Sequence, residues 1–324
     1  MISLKQAFSV IPIAFGGASI SGEGAGYGFG AISEDESLRL LKNAFEMGIR
    51  VFDTAPIYGF GLSEKRMGKA FKQNRDQVFV VSKSGVTWHP NRRVNMSNDP
   101  KTTLKMLEQS LRDLNSDYID LYMIHWPDAK VDIRKPYEVL AKAQLQGKIL
   151  NIGLCNTNVS DIQKAQQVAT VSVVQSELNY FNDQVKSELL PFLQENNTKF
   201  MSWGTFDKGV LSGTVTKDRT FSSEDCRSWA PWWKARDNSA RMDHAKRLQA
   251  IVQKYECTLM QFALAYNLSF KELSLAICGF RSIEQLQQGI EAYKKLPPPA
   301  ILAEIILADQ QTSLKQDLEP VPNT

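Results

Sequence analysis

The segment VFDTAPIYGFG, residues 51–61, places an acid and a phenol where a strand gives way to a loop. A run of apolar residues stops at Asp53, and Tyr58 follows five residues later, between Pro56 and a glycine-rich turn. Taken alone, the pair has a simple structural explanation, a turn aspartate and a half-buried tyrosine. The apolar run is typical of a buried parallel strand. The polar residues that end it become informative if other strands end in the same way.

Eight short apolar runs of this kind, rich in valine, isoleucine and leucine, are spread along the 324 residues. They show little alternation of polar and apolar side chains, as expected of parallel strands that are covered on both faces. The runs are residues 11–17, 50–54, 78–84, 118–126, 149–156, 171–178, 198–205 and 273–280.

Helical patterns lie between these runs. Ser33 and Glu36 form the capping-box pattern of a helix start, and Gly48 is a typical stop. Further helical patterns cover residues 101–115, 160–169 and 183–196. Eight strands, each followed by a helix, predict an α/β fold of the (β/α)₈ TIM barrel type.

No linker or change in composition divides the chain, so residues 1–324 are predicted to form a single domain. The longest irregular segment, 206–241, follows the seventh strand, and loops of that length are usually functional. A doubly wound dinucleotide-binding sheet is the rival fold, because residues 26–31, GYGFGA, precede a helix and Asp53 ends the next strand. Those glycines begin about ten residues beyond the first strand, whereas the fingerprint needs them on the turn from strand to helix. The alternating glycines 22, 24, 26, 28 and 30 are more typical of a flexible lid.

Composition limits the possible partners. The formal net charge is only +3 and the basic residues do not cluster, so neither nucleic acid nor a membrane surface is expected as a partner. The four cysteines are widely spaced and form no metal-binding pattern, which favours free thiols, no metal site and a cytoplasmic location. These patterns leave the oligomeric state open, and a monomer is plausible.

Four reactive side chains fall at the predicted carboxyl ends of three consecutive strands. They are Asp53, Tyr58, Lys83 and His125. A tyrosine can donate a proton to an alkoxide as hydride reaches a carbonyl carbon, and a neighbouring ammonium makes the phenolate less costly. An acid would hold that ammonium in place, and an imidazole would orient the substrate oxygen. The alternatives, a solvated lysine and a core histidine, are common for single residues but do not explain the set.

Three segments carrying these residues resemble the aldo-keto reductase family, in its bacterial type with a long seventh loop. They are GIRVFDTAPIYGFGLSEKRMGKAF at 48–71, VFVVSKSG at 78–85 and SLRDLNSDYIDLYMIHWPD at 110–128. The resemblance covers nearly the whole chain. It implies that Asp53, Tyr58, Lys83 and His125 form the family's catalytic tetrad.

The resemblance also implies a nicotinamide cofactor, NADPH, bound in extended form. Cys155 and Asn156 stand where the family usually has Ser-Asn holding the nicotinamide carboxamide, and the thiol is the weaker hydrogen-bonding group. Gln175 matches the third carboxamide contact, and Trp203 matches the aromatic that stacks on the ring. The loop FDKGVLSG at 206–213, with Phe206 and Lys208, would pass over the pyrophosphate.

At the last strand, GFRSIEQLQQG at 279–289 resembles the family's segment for the adenosine 2′-phosphate. Arg281 and Ser282 fit that role, because a guanidinium makes bidentate phosphate contacts and a helix start favours anions. Gln285 and Gln288 are the further cofactor candidates there. Gln288 and Gly289 replace the family's Glu-Asn adenine contacts, so the asparagine contact is absent.

The expected activity is reduction of aldehydes or ketones with NADPH. An NAD(P)-dependent sugar dehydrogenase on the same fold, and an NADPH-binding regulatory or sensor barrel with little turnover, are the alternatives. Trp88 follows the lysine strand and Trp126 follows His125, so both are substrate-contact candidates. An aromatic wall would favour flat or apolar carbonyl compounds.

Overall fold

A computed structural model describes residues 1–22 and 26–318 of the chain. The described strands are β1 (Ile13–Gly16), β2 (Val51–Asp53), β3 (Phe79–Ser84), β4 (Val86–Trp88), β5 (Val94–Met96), β6 (Ile119–Ile124), β7 (Ile149–Cys155), β8 (Val173–Glu177), β9 (Lys199–Trp203) and β10 (Leu273–Cys278). The described helices are α1 (Leu4–Ala7), α2 (Glu34–Glu46), α3 (Leu62–Ala70), α4 (Pro100–Leu114), α5 (Arg134–Leu145), α6 (Val159–Gln166), α7 (Leu189–Glu195), α8 (Pro231–Lys234), α9 (Asn238–Gln253), α10 (Leu259–Leu268), α11 (Ile283–Lys294) and α12 (Pro299–Leu318).

Eight of these strands form a closed parallel barrel in the order β1-β10-β9-β8-β7-β6-β3-β2. The first and last strands close it, with Ile13 in register with Ala276. The (β/α)₈ prediction is therefore confirmed, and each of the eight apolar runs contains one barrel strand. The doubly wound alternative is wrong, because an open sheet has edges and this sheet closes on itself.

The strands are buried on both faces, which explains their nearly continuous apolar sequences. Along β3, Phe79 and Val81 belong to one apolar cluster with Leu121 and Met123, whereas Val80 packs in another cluster with the surrounding helices. Successive side chains of a strand point to opposite faces, so the first cluster fills the barrel and the second lies beneath the helices. Helix α1 packs against the interior cluster and covers the amino-terminal end of the barrel.

Short sequence signals mark the beginning and the end of helix α2. The Ser33–Glu36 capping box is present, with Glu36 N–H donating to Ser33 Oγ at 3.2 Å and Ser33 N–H donating to Glu36 Oε2 at 3.1 Å. Gly48 follows α2 with φ +97°, a backbone conformation that glycine adopts without strain.

Three features differ from the expectations. Helix α7 begins at Leu189 rather than near residue 183, because the ring of Pro191 would clash with a carbonyl of a preceding helical turn. A two-stranded hairpin, β4–β5, follows β3. Helices α8 and α9 begin inside the segment 206–241 that was expected to be irregular. Of the glycines in the expected lid, Gly24 lies outside the described residues.

Candidate active site

A buried ion pair between Asp53 and Lys83 lies at the centre of the candidate site. Lys83 Nζ is 2.8 Å from Asp53 Oδ1 and 2.7 Å from Oδ2, and it donates to the carbonyl oxygen of Thr54 at 2.9 Å. Asp53 is 3% exposed and Lys83 is fully buried. Burying two charges is costly unless the geometry is close and further hydrogen bonds are made. The contacts therefore fix an ammonium at one point of the barrel.

Strand register brings the acid, the ammonium and the imidazole together. Asp53 ends β2 in register with Val81, so Lys83 lies two residues farther along β3 on the same face. His125 directly follows β6, where its backbone N–H donates to the carbonyl of Ser84 at 2.8 Å. All three side chains thus reach the carboxyl end of the barrel, where active sites of this fold are built.

Tyr58 lies on a tight turn beyond β2. Its ring is 5.7 Å from Lys83 Nζ, measured to the ring centroid, and its backbone N–H donates to the carbonyl of Ala55. Burial raises the pKa of Tyr58 well above its ordinary value, and the negative charge of Asp53 acts in the same direction. The phenol therefore stays protonated and can act as a proton donor.

His125 is buried beside this phenol. The two rings meet edge to face, with centroids 6.0 Å apart and an interplanar angle of 89°. Burial lowers the pKa of His125 well below its ordinary value, and the positive charge of Lys83 lowers it further. A neutral imidazole keeps one N–H donor and can hydrogen-bond a carbonyl oxygen without carrying charge.

A buried carboxyl, Glu64 of α3, lies behind the lysine strand. Ser82 Oγ donates to Glu64 Oε1 at 2.6 Å, and Ser82 directly precedes Lys83. Burial raises the pKa of Glu64 to about 7, against the lowering effects of the hydrogen bonds from Ser82 and Ser110. The apolar periodicity of α3 gave no signal for this residue, because an acidic residue in a helix is normally assigned to the exposed face.

A chain of hydrogen bonds links four predicted cofactor residues to the ion pair. Trp203 Nε1 donates to Asn156 Oδ1 at 2.9 Å, and Asn156 Nδ2 lies 3.2 Å from Cys155 Sγ. The Cys155 thiol donates to Gln175 Oε1 at 3.3 Å, and Gln175 Nε2 donates to Asp53 Oδ2 at 2.8 Å. Burial raises the pKa of Cys155 to about 12, so the thiol stays neutral. The contact of these side chains with a nicotinamide stays a prediction.

Lys208 follows β9 and lies between two tryptophans. Its Nζ is 5.1 Å from the Trp203 ring centroid and 5.8 Å from that of Trp232, and it pairs with Glu177. Lys208 has φ +56°, a conformation rare for side chains with a Cβ. Phe206, two residues earlier, is partly buried and packs against the core.

Sequence reasoning missed the charged residues around Lys208. Arg236 Nη2 is 3.1 Å from Glu177 Oε2, and both Arg236 and Arg241 approach the Asp207 carboxylate, at 3.2 and 2.9 Å. These side chains come from β8, the loop after β9, and the helical segment near α9. The sequence indicated only that the long 206–241 loop is functional. It could not predict these ion pairs, because they depend on how that loop folds back.

Arg281 follows β10 and holds the loop between β1 and α2. Its Nη1 donates to the carbonyl of Phe29, and its Nη2 donates to that of Ala31 at 2.5 Å. Its Nε is buried and makes no hydrogen bond among the residues that the structure describes. Burial lowers the pKa of Arg281. The predicted phosphate contact would thus add to, or replace, two backbone contacts.

The other residues of the last loop form the start of α11. Ser282 is its N-cap, accepting from the Gln285 N–H at 3.2 Å, and Gln285 Oε1 accepts from the Arg281 N–H at 2.9 Å. Gln288, one turn later, is exposed and lines a cavity of about 520 Å³ together with Ser212.

The two predicted substrate-contact tryptophans have different ring neighbours. Trp88 ends β4, and its ring centroid is 5.0 Å from that of Phe60. Trp126 stacks on His125 with centroids 6.5 Å apart and is 38% exposed. Trp126 therefore lies beside His125, and Trp88 shares an apolar cluster with Tyr58. The contact of either indole with substrate stays a prediction.

The donor set of these loops suits a nicotinamide dinucleotide. Two amide side chains are available for a carboxamide: Gln175 donates to Asp53 of the ion pair, and Asn156 donates to the carbonyl of His125. Two cations, Lys208 and Arg281, lie in the loops after β9 and β10, as phosphate groups need. Among residues 1–22 and 26–318, the buried Nε of Arg281 has no hydrogen-bond partner.

Within residues 1–22 and 26–318, no three His, Cys, Asp or Glu side chains are grouped so that they could hold a metal ion. No helix in the same ranges combines the length and the apolar character needed to cross a membrane.

Comparisons with known proteins agree with this geometry. The model of the Aldo/keto reductase family matches residues 12–304. The chain is 30% identical over 262 residues to the aldo-keto reductase YhdN of Bacillus subtilis, covering 80% of this chain and 79% of that protein. It is 28% identical over 265 residues to the NADH-specific methylglyoxal reductase of Escherichia coli, covering 78% and 81%.

Among solved structures, the glycerol dehydrogenase of Gluconobacter oxydans has a TM-score of 0.80 at 26% identity, covering 98% of this chain and 99% of that one. The family match thus spans nearly the whole barrel and includes every strand end described above. The chain belongs to the aldo/keto reductase family and is an NAD(P)H-dependent oxidoreductase.

Proposed function

We propose that the protein reduces aldehydes or ketones to alcohols with NADPH, using Tyr58 as the proton donor. The observation that carries this proposal is the position of the Lys83 ammonium, held by Asp53 at 2.7–2.8 Å and 5.7 Å from the Tyr58 ring. A positive charge beside a phenol stabilises the phenolate that proton donation leaves behind.

The three neighbouring groups have separate tasks in this mechanism. The protonated phenol of Tyr58 donates its proton to the substrate oxygen as negative charge develops there. The neutral imidazole of His125 donates a hydrogen bond to the same oxygen and orients the carbonyl. Asp53 holds the Lys83 ammonium in place through two hydrogen bonds. When bound, the nicotinamide cofactor supplies the hydride.

The remaining loop residues are assigned to the cofactor in this proposal. Asn156 and Gln175, with Cys155, hold the carboxamide end, and Trp203 provides a flat face beside it. Lys208 and Phe206 lie along the pyrophosphate. Arg281 favours NADPH over NADH, because a guanidinium suits the 2′-phosphate. The remaining contacts of the adenosine end are assigned to Ser282, Gln285 and Gln288.

A second candidate is the reverse reaction, dehydrogenation of a sugar or polyol. The solved structure named as a glycerol dehydrogenase favours it. The same groups serve both directions, because a phenolate beside Lys83 can accept the proton that a phenol donates. An NADPH-binding sensor barrel is the third candidate, and it predicts binding with little turnover. We also propose a cytoplasmic location, since all four cysteines are free and three are buried.

The test is oxidation of NADPH with a panel of uncharged aldehydes and ketones, comparing wild type with Tyr58→Phe. Loss of a general acid should lower kcat by at least ~10²-fold while cofactor binding, followed by fluorescence, stays close to wild type. Tyr118→Phe is the matched control, because its ring stacks on Arg75 before β6, away from the carboxyl ends of the strands. Tyr58→Phe rates within a few-fold of wild type would contradict the assignment.

A further inference from the structure

A cavity of about 340 Å³ lies beside the catalytic tyrosine, between the turn after β2 and the tip of the β4–β5 hairpin. Its walls include Ser21, Gly59, Phe60, Trp88, His89 and Arg92. The catalytic side chains are not part of these walls. Gly59 and Phe60 directly follow Tyr58, however, and consecutive Cα atoms are about 3.8 Å apart. The cavity therefore lies beside the turn that carries Tyr58.

One wall of the cavity is aromatic. The rings of Phe60 and Trp88 lie with centroids 5.0 Å apart at 57°, and both belong to the apolar cluster that contains Tyr58. Offset rings of this kind offer an extended apolar surface for the body of a ligand. A flat or apolar carbonyl compound that reaches from Tyr58 would lie along this surface.

A cationic side chain lies beside these rings. The Arg92 guanidinium lies 5.5 Å from the centroid of the Phe60 ring, across the tip of the hairpin. His89 lies in the same turn, where its carbonyl accepts from the Arg92 N–H at 2.8 Å. Among the described residues that line the cavity, no side chain carries a carboxylate. An arginine that lines a cavity without acidic side chains suits an anionic ligand, because a guanidinium makes bidentate contacts with carboxylates and phosphates.

The backbone at this contact is unusual on both sides. Phe60 has φ +52° and Arg92 has φ +63°, and neither residue is a glycine. Bulky side chains rarely adopt this left-handed region, and such conformations cluster at binding and active sites. Both residues line the cavity. A left-handed residue is common in hairpin loops, so the conformation of Arg92 fits its place at the tip of β4–β5.

We propose that this cavity binds an anionic group, a carboxylate or a phosphate, on the far end of the carbonyl substrate. Arg92 is the residue that selects it, and Phe60 and Trp88 hold the apolar body between the anion and the aldehyde. This inference rests on the proposed reductase function and deepens it by naming the substrate class.

The experiment compares 4-carboxybenzaldehyde with its neutral methyl ester, which has the same aldehyde and ring. The ratio of kcat/KM for the acid to that for the ester is measured in wild type, Arg92→Gln and Arg93→Gln. Losing a charged hydrogen bond should lower this ratio about 10-fold or more in Arg92→Gln. Arg93→Gln is the matched control, because Arg93 is in the same turn and does not line the cavity. In this variant the acid-to-ester ratio of kcat/KM should fall less than about 3-fold, through the loss of one surface charge.

Three further outcomes separate the possibilities. Unchanged kcat/KM for the ester in Arg92→Gln shows that the variant is folded and supports a role confined to the anion. Equal ratios in Arg92→Gln and wild type, or equal losses in the two variants, would overturn the anionic site while leaving the reductase proposal intact. A wild type that reduces neither compound, nor any uncharged carbonyl of the panel, would overturn the proposed function and this inference with it. Replacing the carboxylate with a phosphate ester distinguishes the two kinds of anion, since the better substrate identifies the group that the site selects.

Discussion

Glu64 is a buried carboxyl behind the strand that carries Lys83. Its ionisation should make the free energy of unfolding depend on pH. Its pKa is about 7 in the folded protein, against an ordinary value of 4.5. The folded state therefore binds the proton more tightly than the unfolded state does, so this residue costs no stability at pH values below 4.5. As the pH rises through 4.5 to about 7, the wild type loses stability, by about 3 kcal/mol at 1.36 kcal/mol per pKa unit. The carboxyl is fully buried, so water does not screen this cost.

Glu64→Gln removes the ionisation and keeps the shape. Replacing an oxygen by an amide nitrogen changes the stability by an amount that does not depend on pH. The difference in unfolding free energy between the variant and wild type should therefore move in favour of glutamine by about 2–3 kcal/mol between about pH 5 and about pH 8. Urea unfolding at several pH values measures this difference, with Glu138→Gln on the exposed side of α5 as the control. A difference that is the same at all pH values would show that burial does not raise the pKa of Glu64.

Two other predictions concern the coenzyme and the substrate. Arg281→Ala should weaken NADPH binding by roughly 1.5–3 kcal/mol, the range for a charged hydrogen bond, and barely change NADH binding. Equal losses of affinity for the two coenzymes in a fluorescence titration would refute the phosphate assignment. A nitrobenzaldehyde should have a higher kcat/KM than a free pentose, because the indoles of Trp88 and Trp126 favour an apolar body by ~1–3 kcal/mol. A preference for the pentose would instead support the sugar dehydrogenase.

The barrel and the centre of the site were predictable from sequence for one physical reason. Parallel strands covered on both faces must be apolar, so a polar residue at their ends stands out. Asp53, Lys83 and His125 each lie at or just after the end of such a run. In the closed barrel, these strand ends meet at its carboxyl-terminal end. The capping box at Ser33 was equally visible, because its signal lies within four residues.

The surrounding loops were not predictable, because their contacts join distant segments. Arg281 donates to carbonyls about 250 residues earlier in the chain, and backbone carbonyls carry no sequence signal. The contacts of Arg236 and Arg241 with Asp207 depend on the folding of the loop after β9. The hairpin β4–β5 was missed because its strands are three residues long and half exposed.

Closure of the barrel by its first and last strands has a consequence for biosynthesis. Ile13 pairs with Ala276, so 276 − 13 = 263 residues separate the partners. A growing chain cannot make this contact until the ribosome has released β10, although β2, β3 and β6 have left it long before. The ion pair of Asp53 and Lys83 comes from adjacent early strands, whereas Arg281 emerges only after β10. A nascent chain halted before β10 would hold its reactive groups in an open sheet with two exposed edges, and exposed edges promote association with other chains.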